Sequence, residues 1–106
     1  MTRGDVYEVR LPAGRRGGHQ QSGRRYAVIL QIDELLGLST VIVAPTSTRA
    51  RPASFRPEIE IGDESTRVLV EQLRAIDVRN LASLVGHLTA NEQAGVDDAV
   101  ALVLGL

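Results

Sequence analysis

Between residues 14 and 31 the chain reads GRRGGHQQSGRRYAVILQ, with Arg24 and Arg25 standing where a glycine-rich polar stretch gives way to a hydrophobic one. A second basic stretch, TSTRARPASF, carries Arg49 and Arg51. A guanidinium presents planar, paired donors that match a phosphate and also stack on bases, so loops of this composition suit a phosphodiester chain. If both loops flank one cleft, their arginines steer phosphates into it. The glycines do not make a nucleotide-binding loop, because no lysine follows them and no helix starts after them.

The net charge of −1 conceals a division along the chain. Residues 1–56 hold nine arginines against four acids, whereas residues 57–106 hold three arginines against nine acids. One half can therefore face an anion. There is no cysteine, and only His19 and His87 remain as imidazoles, so neither a disulfide nor a structural metal is expected, and no cofactor is implied. The length of 106 residues and the 43% hydrophobic content set a single domain, 1–106, able to bury a core. No apolar run approaches about 18 residues and the first residues lack the core of a signal peptide, which predicts a cytoplasmic protein away from membranes.

The elements that must position these groups are mostly strands. DVYEVRL (Asp5 to Leu11) and RYAVILQI (Arg25 to Ile32) read as strands, the second so continuously apolar that it should be buried on both faces. ELLGLST reads as a turn or short helical piece, and TVIVAP as a strand stopped by Pro45. RPEIEIG and TRVLVEQL, joined by the turn GDES, read as a hairpin. One helical turn is expected in DVRNLAS and a last strand at SLVGHL. Thr89 and Glu92 then form a capping box, opening a helix whose Val96, Ala99, Val100, Val103 and Leu104 make one apolar stripe. Five to six short strands and a C-terminal helix predict a mostly β (α+β) fold, an SH3-like small barrel.

Five stretches in order, RGDVYEVRL, GHQQSGRRYAVIL, VAPTST, VLVEQLRAID and LVGHLT, resemble the MazF/PemK family of endoribonuclease toxins from bacterial type II toxin–antitoxin modules. The resemblance spans nearly the whole chain. It implies a homodimer of MazF/PemK/CcdB-like barrels that cuts single-stranded RNA, often at a short sequence. It also implies silencing by a cognate antitoxin whose disordered tail fills the cleft. Gly18, Gln21, Gly23, Arg25, Ala27 and Val28 follow the family's loop pattern. His19, Gln20 and Tyr26 replace its serine, glutamate and proline. The family's catalytic arginine maps to Arg25, and its catalytic hydroxyl maps through Pro45 to Ser47, with Thr48 as the neighbouring alternative. RNA contacts are implied at Gln20, Gln21, Arg24, Thr48, Arg49 and Gln72, and Glu71 reads as a structural partner for an arginine.

Those residue types suit RNA cleavage. The substrate carries its own nucleophile, the 2′-hydroxyl, so neither an activated serine nor a metal is needed. Arg25 would hold the scissile phosphate and offset its growing charge, and Ser47 would bond a non-bridging oxygen or help position the 2′-hydroxyl. The residues leave the general base open, since arginine stays protonated. His19 reads as an exposed or RNA-touching residue and His87 as structural. Tyr26 suits either stacking on a base or packing in the core. Two other readings share the barrel: a CcdB-like toxin that binds DNA gyrase without cutting nucleic acid, and a degenerate member that binds only its antitoxin. Cleavage of RNA separates them.

Overall fold

A computed structural model describes residues 1–10 and 25–106. Among them the strands are β1 (Asp5–Val9), β2 (Arg25–Ile29), β3 (Thr40–Ser47), β4 (Glu58–Ile61), β5 (Glu64–Val68), β6 (Arg74–Asp77) and β7 (Leu81–His87), followed by the helix α1 (Ala90–Leu104). They form one antiparallel sheet in the order β4-β5-β3-β2-β1-β7, with β6 also paired to β3. This is the expected small curled barrel with a terminal helix. Short 3₁₀ turns at Asp33–Leu35 and Val78–Asn80 occupy the places where a helical piece was expected. No helix among the described residues is long and apolar enough to cross a membrane.

The sheet buries both faces, and β2 lies between them. Val28 joins Val6, Ile59, Val68, Val70 and Val96 in the core under α1, while Ala27 and Ile29 face a second core with Val9, Val41, Val43 and Ile76. Hence a strand with no polar alternation: each side chain has an apolar layer to enter. Thr89 caps α1 as its sequence predicts, its hydroxyl accepting from the Glu92 amide while the Glu92 carboxylate accepts from the Thr89 amide. Val96 and Ala99 are buried and Val100 and Val103 pack against the same core, but Leu104 is exposed.

Two expectations need correction. Pro45 does not stop β3, which runs on to Ser47. The Pro45 carbonyl accepts from the Leu69 amide, and Pro45 sits where β3 exchanges its partner β6 for β5, so the missing donor falls in the gap between two ladders. The strand expected to run to Leu73 ends at Val68, and Val70–Gln72 is a 3₁₀ turn. Past that turn the chain keeps its direction along β3, and Arg74–Asp77 continues as β6, a strand the sequence does not announce. His87, although structural, is no core residue: about half of its side chain is exposed, and its Nδ1 lies 2.7 Å from the buried Asp5 carboxylate.

Candidate functional site

The register of the central strands builds the site. β2 pairs with β3 through Ala27↔Pro45 and Val28↔Ala44, and continuing that register by two residues sets Arg25 opposite Ser47 on the same face. β6 meets β3 at Val43↔Arg74, which puts Arg74 on that face as well. Two arginines and a hydroxyl thus share one end of the sheet. Neither arginine forms an ion pair with another described residue. Their donors are open to an incoming anion.

A cleft of about 400 Å³ opens over this end. Arg25, Ser47, Thr48, Arg49 and Gln72 all line it, as the sequence led us to expect. Gln20, Gln21 and Arg24 lie outside the described residues, as does His19. Arg51 is not brought into the cleft; its carbonyl instead accepts from Arg56. Arg74, Thr66 and Glu64 are lining residues that sequence reasoning missed. Arg74 was obscured because the turn before it breaks any period linking it to Gln72. Beside the arginines a smaller apolar recess is walled by Val9, Ala27, Val43 and Ile76, so the cleft offers guanidinium groups between a polar and an apolar side.

The Ser47 hydroxyl is oriented by a backbone contact. The Arg49 amide donates to Ser47 Oγ at 3.2 Å, occupying an acceptor lone pair and leaving the hydroxyl proton free to be donated. A serine has fewer rotameric restraints than a threonine, and this backbone contact supplies one. Thr46 donates to the Tyr26 carbonyl, tying β3 to β2 beside the cleft. Tyr26 itself is half-buried, packs on the core under α1 and lines the cleft.

Glu71, beside Gln72, faces away from the cleft and accepts from Arg56 Nε and Nη2 at 2.9 and 2.6 Å, as the structural reading required. Arg56 lies over the Phe55 ring as well, so the pair anchors the segment after Arg49 to the turn that carries Gln72. The Arg56 hydrogen bonds hold the Glu71 carboxyl below the ordinary glutamate range. The folded state keeps Glu71 charged to lower pH than the unfolded chain does. Its contribution is therefore complete above the ordinary range and is lost as pH falls through the lowered value. At this exposure the pair is worth about 1 kcal/mol. Urea titrations between neutral pH and the acid limit should show that Glu71→Gln lowers stability at neutral pH and removes this part of the wild-type acid dependence. Parallel pH curves would contradict the assignment.

Comparison with known proteins agrees with this architecture. A family model for PemK-like, MazF-like toxins of type II toxin–antitoxin systems matches residues 2–104. A Mycobacterium tuberculosis chain named as a toxin is 45% identical over 107 aligned residues, covering 100% of this chain and 99% of its own length. Among solved structures, a mycobacterial endoribonuclease in complex with its cognate antitoxin superposes with a TM-score of 0.81 at 18% identity, covering 100% of this chain and 96% of that one. MazF from Deinococcus radiodurans gives 0.79 at 24% identity, covering 100% and 97%. At these identities the two structures speak to the fold.

Proposed function

We propose, from the premise that the chain belongs to the PemK-like, MazF-like toxins of type II toxin–antitoxin systems, that it is an endoribonuclease cutting single-stranded RNA without a metal. The observation that carries this reading is the placement of Arg25 opposite Ser47 at the mouth of one cleft, with the Ser47 proton free to be donated. The 2′-hydroxyl of the substrate attacks the adjacent phosphorus as its proton passes to solvent, the 5′-oxygen leaves and takes up a proton from solvent, and the products are a 2′,3′-cyclic phosphate and a 5′-hydroxyl. Arg25 offsets charge on the phosphorane with bidentate donors, and Ser47 donates to a non-bridging oxygen. Arg74 binds the same or the adjoining phosphate. Arg49, Thr48 and Gln72 contact the strand on either side, and the sequence adds Gln20, Gln21 and Arg24 as further RNA contacts.

The relatives extend the reading to partners. The mycobacterial endoribonuclease is held by its cognate antitoxin, and we assign this cleft the same kind of occupant, competing with RNA. The protein acts as a cytoplasmic homodimer. The test is incubation of the purified protein with a long single-stranded RNA in excess EDTA, followed by mapping of the new 5′ ends. Discrete cuts bearing 5′-hydroxyl groups support the reading. Intact RNA with a folded dimer would turn the assignment toward gyrase binding or antitoxin binding alone.

A further inference from the structure

Glu64 is the one carboxylate that lines the cleft among the described residues, in a wall otherwise made of guanidinium, hydroxyl, amide and apolar groups. It is the first residue of β5, placed there by a two-residue turn, Gly62–Asp63, whose glycine takes the positive φ of 62° that such hairpins need. Its cross-strand partner is Ile61, which also lines the cleft, and its side chain shares a face with the buried Thr66. Val68, two positions beyond Thr66 on this face, pairs with Thr46. Ser47 pairs with Arg67, on the opposite face, so Glu64 lies about 10 Å along the strand from the row that holds Ser47, beyond hydrogen-bonding reach of a phosphate held there. A carboxylate also repels phosphate. What it can meet is the base of a neighbouring nucleotide.

We infer that Glu64 is a specificity-determining residue that selects guanine at one position beside the scissile phosphate, an inference that rests on the cleft being an RNA-binding site. A carboxylate only accepts, through two oxygens side by side. Among the four bases, guanine alone sets two donors next to each other on its Watson–Crick edge, N1–H and the 2-amino group. Adenine and cytosine place an acceptor beside their amino donor, and uracil flanks its single donor with acceptors. A guanine lying on Ile61 brings its edge to Glu64, where both bonds are charge-assisted. The arginines hold the backbone on one side of the cleft, and Glu64 orients the base on the other.

The test uses fluorescence anisotropy with short single-stranded 2′-deoxy oligonucleotides, which bind without being cut, carrying guanine or inosine at each position in turn. Inosine lacks only the 2-amino group. At one position the wild-type protein binds guanine about tenfold more tightly than inosine. In Glu64→Gln that difference falls within twofold and adenine gains, because a glutamine amide pairs a donor and an acceptor as adenine does. Equal binding of guanine and inosine at every position, or an unchanged guanine preference in Glu64→Gln, overturns the inference. Mapping cleavage of ordinary RNA in parallel tests the other claim: guanine preference in binding with intact RNA would sink the ribonuclease reading and leave the assignment of Glu64 standing.

Discussion

Replacement of Arg25 by alanine is expected to slow cleavage of single-stranded RNA by about 10²- to 10³-fold, the loss typical when one well-placed donor to a developing oxyanion is removed. The effect should fall on kcat. Arg25 pairs through its backbone with Val9 at the end of β2, and its side chain has no ion-pair partner among the described residues, so the fold has little reason to change. Arg25→Lys restores charge without the planar fork and should recover only part of the rate. Single-turnover cleavage of one labelled RNA measures all three proteins. If Arg25→Ala retains a rate within threefold of wild type, the phosphate is held elsewhere, with Arg74 as the first candidate.

The largest expected effect on stability belongs to Ile29. It is fully buried, and it packs in the second core with Val41, Val43 and Ile76 while the strand beside it feeds the first. Ile29→Ala removes three carbons from a site closed by strands on both sides, so the cavity cannot collapse fully, and a loss of about 3 kcal/mol is expected. For a domain of this size that is a large share of the total. Urea unfolding should show a lower midpoint with an unchanged slope. A loss below about 1 kcal/mol would mean that β2 is not covered on both faces, and would undo the register argument that sets Arg25 opposite Ser47.

The parts of this fold legible in the sequence are those set by short-range rules. The capping box at Thr89 and Glu92 needs only four residues, and the apolar run of β2 needs only its own composition. Pro45 misled because its cost depends on which neighbour it faces, and that depends on a partner exchange between strands far apart in the chain. The same limit hid β6, whose Arg74–Asp77 register is created by pairing with β3 after a 3₁₀ turn. In the site, Arg25, Ser47 and Gln72 were legible through a family pattern and do meet at one cleft. Arg74 and Glu64 were not, since an arginine after a turn and an acid in a hairpin look like surface until the sheet curls around them.

The central claim is that the substrate supplies the nucleophile while the cleft supplies only position and charge. It is tested most directly with a single-stranded RNA carrying one mapped cleavage site, compared with the same strand bearing a 2′-deoxynucleotide immediately 5′ of the scissile phosphate. The account predicts that the first strand is cut in EDTA to a 2′,3′-cyclic phosphate and a 5′-hydroxyl, and that the second binds with similar affinity and stays intact. Cleavage of the deoxy-substituted strand at the same bond would contradict it, because the attacking oxygen would then have to come from water or from the protein.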